Sequence, residues 1–112
     1  MKKQNKSIKL NKFYCGDNLK ILKDIESESM DLIYLDPPFF TNRVHTVITD
    51  HAINQFTDIF NSMEDYIAFL KERVIEMHRI LKPTGNFFLH CDYHVNAHIR
   101  IWGLLKTRFS LL

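Results

Sequence analysis

The chain has 112 residues, a formal net charge of +2, 46% hydrophobic residues and only two cysteines. That length fits one domain with a modest core, small for an enzyme that must hold both a cofactor and a nucleic acid. No stretch approaches the roughly eighteen consecutive apolar residues of a membrane span, and no apolar run follows the lysine-rich N-terminus as it would in a secretory signal. Two cysteines without paired spacing exclude a disulfide framework and predict reduced thiols in a soluble, cytoplasmic protein.

The charge is uneven. Lys2, Lys3, Lys6, Lys9 and Lys12 crowd the first twelve residues, and the remainder is net acidic. Residues 1–11 therefore read as a basic, solvated tail, able to touch phosphates, ahead of a folded unit over residues 12–112. Lys12-Phe13-Tyr14-Cys15 predicts a short strand stopped by Gly16, with Asp17 as N-cap of a helix carrying Leu19, Leu22 and Ile25 on one face. Cys15 and Cys91 are expected in the core. After a polar turn over Glu26–Ser29, Asp31–Leu35 is a nearly continuous apolar run, as expected of a buried parallel strand. It ends abruptly at Asp36-Pro37-Pro38-Phe39.

From Phe40 to Asn61 the periodicity is poor, and a long loop with a short strand or helical turn is expected. Ser62 opens the clearest helix: with Asp65 three residues on it resembles a capping box, and Tyr66, Phe69, Leu70, Val74, Met77 and Leu81 form an apolar stripe. The helix should stop at Lys82-Pro83-Thr84-Gly85. Asn86–Cys91 predicts a third strand centred on Phe87-Phe88-Leu89, and a last helix from about Tyr93 carries Val95, Ile99, Trp102 and Leu105. This β-α-β-α-β-α order is the signature of a parallel α/β sheet.

Asp36-Pro37-Pro38-Phe39 carries the chemistry. Prolines have no N–H to donate, so the carbonyls of Asp36 and Pro37 are left as acceptors in a stiff geometry. The Asp36 carboxylate accepts as well, and Phe39 offers a face to a planar ring. Together they can grip an exocyclic amino group. A bare Asp-Pro-Pro-aromatic match also arises by chance as strand punctuation; its place at the carboxyl end of a buried strand, where open parallel sheets bind ligands, favours the functional reading.

Three blocks in order resemble the amino-methylating DNA methyltransferases, which act on adenine N6 or cytosine N4. They are Tyr14-Cys15-Gly16-Asp17-Asn18-Leu19, Asp36-Pro37-Pro38-Phe39, and the stretch from Met77 to Asp92. The chain looks most like the restriction-modification type in which the catalytic motif comes early and a glycine-rich cofactor motif late. The resemblance implies S-adenosylmethionine as cofactor and double-stranded DNA as partner, together with a restriction subunit or a second methyltransferase chain. Asp36, Pro37, Pro38 and Phe39 would form the catalytic motif, with Asp36 and the Pro37 carbonyl on the target amine and Phe39 stacked on the flipped base. Asp17 would contact the adenine end of the cofactor, alongside its N-cap role, and Asp36 would also face the cofactor's ammonium group. The block pattern leans toward adenine.

The fold implied is an incomplete Rossmann-like methyltransferase sheet of three parallel strands with flanking helices. An aromatic-x-Gly-x-Gly loop is not formed by Gly16, Gly85 and Gly103, so the chain reads as the N-terminal, catalytic-motif half of a domain. In the family's sheet the strands ending at Asp17 and Asp36 are separated by two strands from the cofactor half. The 112 residues alone are accordingly expected neither to bind S-adenosylmethionine tightly nor to methylate DNA. A non-catalytic remnant, or a methyltransferase acting on RNA or a protein amide, are the alternatives.

His90, Cys91, Asp92, His94 and His98 suggest a metal site, His94 and His98 standing i,i+4 on the last helix, but no glutamate lies between those two to act as a base and Cys91 alternates into the strand, so a structural or loop-positioning role is favoured for the stretch. Arg43 and His45 are candidates for DNA contact beside the flipped base, though a lone Arg on a polar loop is commonly just solvated.

Overall fold

A computed structural model describes residues 8–40, 44–50, 52–57 and 60–106. In chain order it contains α1 (Asn18–Leu22), β1 (Met30–Leu35), β2 (Val44–Thr49), β3 (Ala52–Thr57), α2 (Met63–Ile80), β4 (Leu81–Leu89) and α3 (Tyr93–Lys106). The lysines of residues 1–7, Arg43, and the side chains of His45, Trp102 and Leu105 lie outside the described residues.

Helix α2 is the centre of the fold. Ser62 caps it by accepting from the Asp65 N–H at 3.1 Å, with Glu64 and Asp65 in the first turn and His78 and Arg79 in the last, each charge matched to its end of the helix dipole. Tyr66, Leu70, Val74, Met77 and Ile80 form its buried stripe. One half of the stripe, Val74, Met77 and Ile80, packs with Leu22, Ile25 and Leu35. The other half, Tyr66 and Leu70, packs with Val95 and Ile99 of α3. Each fully buried apolar side chain contributes about 1.5–3 kcal/mol against exposure, so this stripe is the largest single source of cohesion.

Strands β1 and β4 pair in parallel, with Ile33 opposite Phe87, Tyr34 opposite Phe88 and Leu35 opposite Leu89. Alternation sends Ile33, Leu35, Phe87 and Leu89 toward the α2 clusters and leaves Leu32, Tyr34 and Phe88 exposed on the opposite face. The α1–β1 connection is stapled to the end of α2. Arg79 donates from Nη2 to the Leu22 carbonyl at 2.8 Å and from Nη1 to the Ile25 carbonyl at 2.9 Å, while the N–H of Ser29 donates to the Ile80 carbonyl at 2.8 Å.

Several expectations need correction. Lys12–Cys15 forms no strand, so the described parallel sheet has two strands rather than three. Phe13 is 98% exposed and Cys15 is exposed rather than in the core, because a strand exists only against a neighbour and none of the described strands pairs there. Tyr14 instead turns its hydroxyl back to the Lys9 backbone at 3.0 Å. Phe40–Asn61 is not a plain loop: β2 and β3 form an antiparallel hairpin with Thr49 opposite Ala52. Helix α2 ends at Ile80, Leu81 is already extended, and β4 starts there instead of at Asn86.

The expected break at Lys82–Gly85 survives as a bulge. Met30 faces Leu81 and Leu32 faces Asn86, so the intervening residues of β4 are extra. Gly85 permits this fold-back, since a Cβ there would stand 2.6 Å from Leu81 Cδ1, 2.9 Å from its Cγ and 3.1 Å from the Lys82 carbonyl oxygen.

Two stability measurements check this account. Arg79→Ala strips donors from the Leu22 and Ile25 carbonyls and is expected to cost about 1–3 kcal/mol in urea unfolding, with Arg79→Lys recovering only part because an ammonium lacks the fork. Gly85→Ala should cost about 1–3 kcal/mol and lower the melting temperature; an unchanged melt would mean that the bulge relaxes freely.

Candidate active site

The end of β1 is where the sheet delivers its chemistry. Leu35 is buried, and at Asp36 the chain leaves the ladder because neither Pro37 nor Pro38 can donate to it. The Asp36 side chain is 60% exposed. Pro37 is buried, while Pro38, Phe39 and Phe40 are half-buried, so the carboxylate projects from a turn whose base is packed.

Tyr66 of α2 builds that base. Fully buried, it donates its hydroxyl to the Pro38 carbonyl at 2.6 Å. Its ring stacks on Phe40, with centroids 5.5 Å apart and planes at 17°, and Phe60 stands edge-on to it at 4.9 Å. Aromatic pairs of this kind contribute about 0.5–1.5 kcal/mol each beyond area burial. They hold Phe40 at φ 61°, a left-handed conformation that a bulky residue adopts only under constraint.

The end of β4 supplies the second wall. The His90 N–H donates to the Leu35 carbonyl at 2.9 Å, which fixes His90 beside Asp36. Its Nδ1 lies 3.3 Å from Asp36 Oδ1, and its ring meets the Phe39 ring edge-on at 5.0 Å and 68°. His90 also borders an open cleft of about 320 Å³ together with Tyr34, Phe88, Asn96 and Arg100.

Asp17 belongs to a separate network. It caps α1, accepting from the Leu19 N–H at 3.0 Å, and its Oδ1 also receives Arg73 Nη2 at 3.0 Å. The Leu19 hydrogen bond holds its carboxyl below the usual carboxylate range against an opposing desolvation, with Arg73 and Lys20 adding to the lowering. Arg73 is itself tightly placed, donating to Asn18 Oδ1 and the Phe69 carbonyl at 2.9 Å each and lying 3.7 Å over the Phe69 ring. Asp17 remains exposed enough to meet a ligand hydroxyl or amine, so the residues present fit one end of a nucleoside cofactor. The glycine cradle for its other end is not formed by Gly16, Gly85 and Gly103.

At the start of α3, Asp92 accepts from the His94 N–H at 2.8 Å and lies 2.6 Å from the His94 ring nitrogen, contacts that hold its carboxyl low. Among the described residues no group of three or more His, Cys, Asp and Glu side chains is placed to hold a metal ion. No described helix is long and apolar enough to cross a membrane.

The structure thus joins Asp36 and Phe39 through His90 and anchors Pro38 through Tyr66, while Asp17 stands with Arg73. Sequence reasoning gives Tyr66 and Arg73 no part in the site, and gives His90 only a structural or loop-positioning role without linking it to Asp36. For His90 a signal existed: it follows the buried run Phe87-Phe88-Leu89 just as Asp36 follows Ile33-Tyr34-Leu35, so two parallel strand ends would bring them side by side.

The sequence model of the DNA methylase family matches residues 30–111, a span that includes both strand ends. The chain is 34% identical over 93 residues to type II methyltransferase M.BglII of Bacillus subtilis, covering 80% of this chain and 22% of that protein. It is 33% identical over 92 residues to type II methyltransferase M.KpnI of Klebsiella pneumoniae, covering 79% of this chain and 22% of that protein. It is also 25% identical over 113 residues to the Mod subunit of the type III restriction-modification enzyme StyLTI of Salmonella typhimurium, covering 81% of this chain and 17% of that protein. The chain therefore spans about a fifth of the length of the curated relatives it matches. With an Asp-Pro-Pro-Phe turn at the carboxyl end of a parallel strand and a family match over most of its residues, the chain belongs to the N6/N4 DNA methylase family.

Proposed function

We propose that this chain is the amine-binding part of an S-adenosylmethionine-dependent, site-specific DNA methyltransferase, with adenine N6 as its target, acting within a restriction-modification system. The observation that carries the reading is the pairing of an exposed carboxylate, Asp36, with a half-buried ring, Phe39, on a turn clamped from below by Tyr66. Adenine rather than cytosine rests on the order and pattern of the sequence blocks. Kinship with type II methyltransferases and with a Mod subunit supports duplex DNA as substrate and a restriction subunit as partner.

The chemistry follows from the acceptors. An exocyclic amine conjugated to a ring is a poor nucleophile because its lone pair is delocalised. Accepting its N–H bonds at the Asp36 carboxylate and the Pro37 carbonyl favours a more tetrahedral nitrogen, whose lone pair is then free to attack. The Pro38 carbonyl is already committed to Tyr66, so its part is to hold the turn rather than to touch the base. Phe39 offers its ring to the extruded base, recovering some of the few kcal/mol that unstacking costs. Bound S-adenosylmethionine would supply the electrophilic methyl group, with Asp17 on its adenosine end and Asp36 also within the ammonium's reach. The 112 residues form the catalytic-motif half of the domain, and residues 1–11 are its basic tail.

Labelled-methyl transfer to mixed-sequence duplex DNA tests this. The chain alone is expected to give no incorporation, and the chain supplemented with a polypeptide bearing the glycine-rich loop is expected to give it. Asp36→Ala should lower that supplemented rate by about 10²–10³-fold and Phe39→Ala by about tenfold. Incorporation indifferent to Asp36→Ala would sink the proposal. Tyr66→Phe keeps the ring and removes only the donor to the Pro38 carbonyl; it should cost about 1–2 kcal/mol of stability in a thermal melt and slow methylation more than it weakens DNA binding.

A further inference from the structure

We propose that His90 is the positioning residue of the base pocket, holding the Asp36 carboxylate by its Nδ1 and the Phe39 ring by its edge. The role rests on the methyltransferase reading above and extends it to a residue that neither touches the reacting atoms nor lies in the Asp-Pro-Pro-Phe motif.

Three contacts meet on this one residue. Its backbone N–H is tied to the Leu35 carbonyl at 2.9 Å, so its Cα is fixed by the sheet rather than by a loop. Its Nδ1 is 3.3 Å from Asp36 Oδ1, and its ring stands 5.0 Å from the Phe39 centroid at 68°. An exposed ion pair by itself adds little stability, and with side chains 54% and 60% exposed this pair is no staple of the fold. What it controls is direction. A carboxylate has two oxygens; restraining Oδ1 leaves Oδ2 to face an incoming amine, and the same imidazole stops Phe39 from swinging away from that oxygen. At 3.3 Å the two groups are in ion-pair contact, slightly long for a hydrogen bond.

The geometry specifies the proton. To donate to Asp36, neutral His90 must carry hydrogen on Nδ1, leaving Nε2 bare. It also specifies which substitutes will serve. The amide nitrogen of Asn can stand where Nδ1 stands, whereas that of the longer Gln falls near Nε2.

Long-range proton–nitrogen correlation on the ¹⁵N-histidine-labelled 112-residue chain reads the tautomer directly. The Nδ1–H form is expected to dominate for His90 at neutral pH and to give way to Nε2–H in Asp36→Ala. Adenosine titrated into the same samples should perturb the Phe39 ring signals. Apparent affinity is expected to be about tenfold weaker in His90→Ala and His90→Gln and within about twofold of the parent in His90→Asn.

An Nε2–H tautomer in the parent chain, or adenosine affinity untouched by His90→Ala, would overturn the assignment while leaving the base pocket standing. An Nδ1–H tautomer with no response to adenosine in the parent chain would instead remove the pocket, and the positioning role with it. Equal loss in His90→Asn and His90→Gln would reduce His90 to a packing residue and also defeat the proposal.

Discussion

One apolar stripe along α2 is shared between two clusters, and the rest of the molecule is arranged by that sharing. Val74, Met77 and Ile80 hold α1 and β1, while Tyr66 and Leu70, about two turns and one turn before Val74 on the same face, hold α3 and the segment that follows β1. Because a helix is stiff over this length, the sheet, the last helix and the Asp-Pro-Pro-Phe turn are placed relative to one another by a single rigid body. Tyr66 is where packing becomes function. Its ring is core, and its hydroxyl reaches the Pro38 backbone.

How much could be read beforehand follows from the range of each interaction. The α2 stripe and its Ser62 cap are local, and so is the apolar run of β1; all three were legible. The strand expected at Lys12–Cys15 was not decided locally, because Phe13 and Tyr14 have strand propensity but a strand requires a partner edge, and no described strand supplies one there. The β2–β3 hairpin was obscured for the opposite reason. Thr46, Thr49, Asn54 and Gln55 make the segment look polar and irregular, although Val44, Val47, Ile48 and Ile53 with the threonines are the β-branched residues of a pleated strand. In the site, Asp36 to Phe39 is contiguous and could be read off the chain. Tyr66 reaches it only through helix docking, which no spacing rule exposes, whereas the place of His90 follows from pairing two parallel strand ends.

The sheet is dressed on one side. Helices α1 and α2 pack against Ile33, Leu35, Phe87 and Leu89, while Leu32, Tyr34 and Phe88 face outward from the same two strands. Parallel sheets are ordinarily covered on both faces, and relatives of this chain are several times longer than the segment it matches. The two carboxylates differ in their surroundings: Asp36 is left accessible beside His90, whereas the Leu19 N–H and Arg73 hold the Asp17 carboxyl below the usual range.

Phe40, in its left-handed conformation stacked on Tyr66, couples the turn after β1 to α2. Its backbone state is disfavoured by roughly 1–3 kcal/mol in isolation and is held by stacking and by the Tyr66 hydroxyl bond two residues back, at Pro38. Both of these contacts come from one residue of α2, so the shape of the Asp36–Phe39 turn is tied to the docking of that helix, and a lesion that loosens the Tyr66 end of α2 reaches the turn directly.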